Sequence, residues 1–185
     1  MMQLGFYFDQ TRCTGCDTCI VACKDWHDVP AGPASWIRIK ENERGQYPDL
    51  SVSYLFLACF HCANPACVRA CAVSAITKRA EDGVVIVDRD VCLGGDACRL
   101  ACRRACPYGV PQFGAEPNAR MEKCDFCLDR WAEDKKPICV AACPMRALDA
   151  GPLDELRARY GKVQKAEGFS YRAKLMPSVI FKPRH

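Results

Sequence analysis

The stretch CTGCDTCIVAC, from Cys13 to Cys23, places four cysteines at intervals of two, two and three residues. Outward from it the pattern recurs three times. A second quartet, Cys59, Cys62, Cys67 and Cys71, has intervals of two, four and three. A third, in CLGGDACRLACRRACPYG, comprises Cys92, Cys98, Cys102 and Cys106 at looser intervals of five, three and three. In the fourth, Cys124 and Cys127 are followed after eleven residues by Cys139 and then Cys143. These quartets use all 16 cysteines of the 185-residue chain. Such a count in a small secreted protein would signal a disulfide scaffold. Three features point away from disulfides. The cysteines come in quartets, most intervals are those of metal ligands, and the opening MMQLGFYFDQTRCTGC lacks a basic segment followed by an apolar run.

A loop with a cysteine at every third residue can turn around one metal–sulfur core and supply three thiolates. The first quartet is the C-x2-C-x2-C-x3-C run of bacterial ferredoxins, in which the fourth cysteine ligates the other cluster of a pair. The third and fourth quartets end in Cys-Pro, at Pro107 and Pro144. Proline suits the first turn of a helix, so the fourth cysteine is expected to open one. Lys24 and Ala72 take that place in the other two quartets. Zinc sites favour paired C-x2-C knuckles. The third close cysteine of the first two quartets and the Cys-Pro endings of the others favour iron–sulfur instead. Sixteen thiolates at four per cubane predict four [4Fe-4S] clusters.

Other functions find little support. The short C-x3-C-x2-C run of a radical enzyme is missing, and no acid, base or nucleophile constellation is visible, so an enzyme in its own right is not expected. His27, His61 and His185 have no matching partners in sequence; His61 sits between Cys59 and Cys62 and could hydrogen-bond near a cluster, but a structural role is the favoured reading. The formal charge is +4. Sixteen thiolates and four oxidised cores of about +2 each bring the loaded protein to about −4. The Lys/Arg excess therefore mostly offsets cluster charge, and nucleic-acid binding is not indicated. Arg12, Lys78, Arg79, Arg99 and Lys123 lie close in sequence to ligands and could raise cluster potentials, although taken individually each reads as solvated surface. No apolar run approaches the roughly 20 residues of a membrane span. The longest candidates, VSYLFLACF and GVVIVD, are strand-sized.

The predicted fold class is α+β, a pair of duplicated two-cluster ferredoxin-like units with an inserted hairpin and a C-terminal extension. Residues 24–58 form the insertion, with strand-like SWIRIKE and SVSYLFLA separated by turn residues. Trp26 and Trp36 within it are expected to pack against cluster or core. AVSAITKRAEDGVVIVDRD reads as a β-hairpin turning at Gly83. PMRALDAG reads as a short helix and a strand, and PLDELRARYG as a helix opened by Pro152 and closed by Gly161. Residues 1–150 thus hold the double-ferredoxin region, and 151–185 a helix and a partner-docking tail with one strand, SVIF. A flap over the chain's own domain is the alternative for that tail.

The segments GFYFDQTRCTGCDTCIVACKDWHDVPAG, CFHCANPACVRACAVSAITKRAEDGVVIVD, CPYGVPQFG and KCDFCLDRWAEDKKPICVAACPMRAL together resemble the iron–sulfur subunit of the dimethyl sulfoxide reductase family, from about Gly5 to Gly161. The resemblance implies an electron-transfer subunit partnered by a large catalytic subunit with a molybdenum or tungsten bis-pterin cofactor, with a membrane anchor or a soluble carrier as a further partner. A free-standing polyferredoxin, or the carrier of a tungsten aldehyde oxidoreductase, is the alternative. The implied location is cytoplasmic, or exported only as the passenger of a signal-bearing partner. The implied ligand sets are crosswise. Cys13, Cys16 and Cys19 share a cluster with Cys143. Cys124, Cys127 and Cys139 are completed by Cys23. Cys59, Cys62 and Cys67 are completed by Cys106, and Cys92, Cys98 and Cys102 by Cys71.

The third quartet departs from the family's C-x2-C-x2-C-x3-C-P. Anchored at its front, Gly95 stands where a cysteine belongs and a [3Fe-4S] cluster becomes an option. Anchored at its end, all four cysteines are ligands on a stretched loop. Were 98–106 one helix, Cys98 and Cys106 would lie about 12 Å apart along its axis, too far for one cubane. That favours the end-anchored register.

Overall fold

The computed structural model describes residues 2–184. Through the first half of the chain run β1 (Leu4–Asp9), α1 (Thr18–Trp26), β2 (Arg38–Arg44), β3 (Ser51–Leu57), α2 (Ala66–Arg69), β4 (Ile76–Lys78) and β5 (Val85–Val87). Then come α3 (Gly95–Cys98), α4 (Ala101–Ala105), α5 (Leu128–Trp131), α6 (Ile138–Ala141), β6 (Leu148–Pro152), α7 (Leu153–Tyr160) and β7 (Val179–Lys182). From α2 to α6 no helix exceeds five residues. Helices this short do not persist alone in water. Each carries or abuts a cysteine, so the segments are held by what the cysteines hold.

The two units repeat with the same register. Ile76, five residues after Cys71, pairs with Val87, five residues before Cys92. Leu148, five residues after Cys143, pairs with Phe8, five residues before Cys13. Antiparallel β4–β5 therefore corresponds to antiparallel β6–β1. The first is a local hairpin, and the second closes across nearly the whole chain. This matches the mixed helix-and-strand, duplicated ferredoxin-like architecture expected from the quartets.

β1 is buried at every position because it is the middle strand of the sheet β6–β1–β7. Phe6 from it is fully buried, with ring centroids 4.8 Å from Phe126 and 5.7 Å from Phe56. Phe6→Ala is expected to cost about 3–5 kcal/mol, the usual penalty for emptying an aromatic site in a core. Denaturant unfolding of the iron-loaded protein checks this, and a loss below ~1 kcal/mol would contradict it.

β2 and β3 form an antiparallel hairpin over residues 38–57. Leu55 and Phe56 bury into the core, and the Arg38 guanidinium donates to the carbonyls of Tyr108 and Gly109 at 2.7 and 3.0 Å. With β6–β1 and the first and fourth quartets as the outer unit, and β4–β5 with the second and third as the inner one, the hairpin ties the outer to the inner.

Several sequence expectations change. The fourth cysteine of a quartet does not open a helix. The N–H groups of Cys71, Cys106 and Cys143 close short helices on Val68, Arg103 and Val140. Their carbonyls then accept from Ser74, Gly109 and Arg146, each with left-handed backbone. Pro107 and Pro144 therefore occupy the second position of a tight turn, which fixes φ as well as a helix start does. PMRA is that turn and not a helix, whereas α7 runs between Pro152 and Gly161 as its punctuation indicates. Residues 98–106 are not one helix, since Arg99 and Leu100, both left-handed, separate α3 from α4. A boundary at residue 150 would cut β6. The tail's strand lies inside the fold, with β7 parallel to β1 and Val179, Ile180 and Phe181 buried. Lys123 is buried and Lys78 and Arg79 are half-buried, so none of the three is solvated surface. Trp36 is half-buried against the core, but Trp26 is exposed, with its ring under Arg130 and its N–H on Asp129.

Candidate metal centres

Three of the four cysteine sets line cavities. Cys13, Cys16, Cys19 and Cys143 share one, walled by Phe8, Ile39, Phe56 and Leu148. Cys59, Cys62, Cys67 and Cys106 share a second with Phe60, Tyr108 and Lys123. Cys71, Cys92, Cys98 and Cys102 share a third with Ile76, Phe113 and Met121. The remaining four, Cys23, Cys124, Cys127 and Cys139, are all buried and face one another, since Cys124 feels the like charge of each of the others. Every set takes its fourth sulfur from a different quartet.

Backbone geometry makes these loops possible at two glycines. Gly15, between Cys13 and Cys16, has φ +69°, and a Cβ there would collide with the Tyr54 ring. Gly94, in the stretched third loop, has φ +87°, and a Cβ would collide with Asn118. Only glycine fits such positions without strain. Gly95 is buried beside Leu100 and is not among the residues lining the third cavity.

Burial, first of all, makes several of these thiols hold their protons. Cys19, Cys23, Cys62 and Cys67 are pushed up to about 12, with neighbouring sulfurs adding to the shift. Burial also takes Cys127 to about 12 and Cys102 to about 11, and it drives Cys124 and Cys139 well above the ordinary thiol value. Only Cys16, exposed and hydrogen-bonded to the Thr18 hydroxyl, is lowered. Four desolvated thiolates cannot coexist without a compensating positive core. The donor sets are sulfur only, four to a site. Backbone N–H groups also point at sulfurs, from Phe126 to Cys124 at 3.4 Å, Ala147 to Cys143 at 3.3 Å and Met121 to Cys92 at 3.5 Å. Such contacts stabilise metal-bound thiolate and tune cluster potential. The residues fit iron–sulfur cubanes.

One residue at these sites has no sequence signal. His27 Nε2 lies 3.2 Å from Cys127 Sγ and 3.8 Å from an Asp125 oxygen. Because Cys127 belongs to the fourth set, this trio is part of that centre. His61 is fully buried, and its Nδ1 accepts the Val85 N–H at 2.9 Å. Desolvation, then the ammonium groups of Lys123 and Lys78, hold its pKa well below the ordinary imidazole value. His185 lies outside the described residues. Among the described residues no helix is long and apolar enough to cross a membrane.

A profile of the 4Fe-4S dicluster domain family matches residues 50–153, and a second dicluster profile matches residues 12–76. The sequence is 45% identical to the B component of anaerobic dimethyl sulfoxide reductase from Escherichia coli K12, over 98% of this chain and 89% of that protein. It is 42% identical to the protein of the same name from Haemophilus influenzae, over 99% and 90%. The B component of sulfite dehydrogenase from Allochromatium vinosum is 35% identical over 80% of this chain and 68% of its own length. Two dicluster matches give a complement of four [4Fe-4S] clusters. The protein therefore belongs to the 4Fe-4S dicluster family, among the iron–sulfur B components of dimethyl sulfoxide reductase type, and is a non-catalytic subunit that relays electrons to or from a catalytic partner.

Proposed function

We propose that the sixteen cysteines are the iron ligands in the four crosswise sets and that the chain wires a large molybdenum or tungsten bis-pterin subunit to its electron donor or acceptor. The single observation carrying this reading is the sharing of each cavity or buried group by three sulfurs of one quartet and one of another. A cubane cluster, when bound, stores and passes one electron at a time. The residues around the sets exclude water, supply N–H groups to the sulfurs and hold neighbouring sets in fixed positions.

On this reading residues 24–58 are an insertion whose hairpin covers the first set, where Ile39 and Phe56 wall the cavity. The segment beyond residue 150 is an extension of the outer unit. Its exposed side, facing away from β1, remains for a partner. The compartment follows the partner: cytoplasmic, or exported together with a signal-bearing subunit. A membrane anchor or soluble carrier completes the path.

Anaerobic reconstitution is expected to give about sixteen irons and sixteen labile sulfides per chain. About four tightly bound zinc ions with no broad visible absorbance would overturn the assignment. Co-purification with a large pterin-bearing subunit separates this reading from a free-standing polyferredoxin.

A further inference from the structure

Lys123 is 2% exposed. A lysine is almost never buried unless its charge is used or paired. Its Nζ donates to the carbonyl of Val85 and, at 2.9 Å, to that of Cys124. It also lines the cavity of Cys59, Cys62, Cys67 and Cys106. One ammonium thus touches the wall of the second set and the backbone of a cysteine of the fourth.

Lys78 approaches from the other side. Its Nζ donates to Gly83 O at 2.5 Å, to Gln3 Oε1 at 2.8 Å and to His61 O at 3.4 Å. All these acceptors are neutral, so neither ammonium is paired there with a carboxylate. Nearby acids are engaged elsewhere: Asp82 binds Arg79, and Glu122 accepts from Trp36 at 2.9 Å. His61 lies between the two lysines, its carbonyl accepting from Lys78 and its Nδ1 accepting the N–H of Val85, whose carbonyl accepts from Lys123, and among the described residues its buried Nε2 has no hydrogen-bond partner. Lys123 thus lines the sulfur cavity, and Lys78 bonds the His61 carbonyl beside Cys62, with no carboxylate among the described residues bonded to either lysine.

We propose that Lys123, assisted by Lys78, forms a cationic joint between two clusters, that on Cys59, Cys62, Cys67 and Cys106 and that on Cys23, Cys124, Cys127 and Cys139, and raises the reduction potential of the first. The proposal rests on the ligand sets proposed above. A fixed positive charge in a poorly solvated site stabilises the more negative, reduced cluster. It places the electron-accepting step at the junction of the two ferredoxin-like units.

The test is a potentiometric titration of the reconstituted protein, followed by electron paramagnetic resonance, on Lys123→Met, Lys123→Gln, Lys123→Arg and Lys78→Met. Lys135→Met serves as a control, since that side chain is exposed and bonded to Glu133. Iron content reports on the ligand sets, and potential reports on the joint. Lys123→Met and Lys123→Gln should keep native iron and weaken reduction of one cluster by about tenfold or more, ~59 mV for one electron. Lys78→Met should shift the same cluster in the same direction by less, Lys123→Arg should recover most of the loss, and Lys135→Met should shift nothing. Native potentials in iron-replete Lys123→Met overturn the proposal and leave the ligand sets standing. Iron loss in both Lys123→Met and Lys123→Gln overturns it too, because Lys123 would then be a residue required for assembly. A wild-type iron content far below sixteen would instead overturn the ligand sets.

Discussion

A Cys106→Ser protein is expected to lose about a quarter of its iron, the share of one cluster in four, and to stop passing electrons between its two ends. Cys106 shares its cavity with Cys59, Cys62 and Cys67 rather than with the nearer Cys98 and Cys102. Burial raises its pKa, but backbone N–H groups of Val110, Tyr108 and Gly109 oppose that rise. The turn begun by Pro107 carries these amides near the sulfur, where they favour its thiolate form, while the Gly109 N–H itself bonds the Cys106 carbonyl. A serine hydroxyl keeps the turn and forfeits the soft ligand. Iron and sulfide analysis, with spectra before and after reduction, reads the loss. A Cys106→Ser protein with full iron, together with a stoichiometric three-iron signal in the wild type isolated without oxygen, would instead select the front-anchored register of the third quartet.

Truncation after Pro177 is expected to leave a protein that does not fold. The deletion removes Val179, Ile180 and Phe181, all at most 1% exposed, and the ladder that pairs β7 with β1. Each such side chain contributes roughly 1.5–3 kcal/mol by burial alone. Together they approach the whole stability of an ordinary domain, about 5–15 kcal/mol. Phe181 also supports Phe169, 4.7 Å away, which stacks on Tyr108 beside the second cysteine set. Insoluble or protease-sensitive 1–177 protein is the anticipated result. A soluble, iron-replete truncation would mean that the sheet closes without its third strand.

The quartets were legible because ligand spacing is a local property. The β4–β5 hairpin, the β2–β3 hairpin and α7 were legible for the same reason, through alternation, Gly83 and the Pro152–Gly161 pair. Four things were not. Proline is equally at home at a helix start and in a tight turn, so Cys-Pro alone could not distinguish them. Arg99 and Leu100 adopt left-handed backbone without the glycine that usually marks it, so the break between α3 and α4 had no signature. Lys123 read as surface because lysine nearly always is. Its burial depends on carbonyls contributed by β5 and by Cys124. The contact of His27 with Cys127 joins residues 100 positions apart, beyond any spacing rule.

Because the outer unit closes across almost the full length of the sequence, its biosynthesis is staggered. On the proposed ligand sets, every sulfur the inner unit needs lies between Cys59 and Cys106, whereas the first set waits for Cys143 and β1 waits for both β6 and β7. Domains generally fold as units while the ribosome is still adding residues. Here the first cysteines to emerge belong to the last centres to be completed. Cys13, Cys16 and Cys19 leave the ribosome as unpartnered thiols and stay exposed to oxygen and stray metals until Cys143 arrives. On those sets the outer unit cannot complete its clusters before Cys143 has been made, and a nascent polypeptide stalled before residue 143 would be filled, if at all, only in its middle.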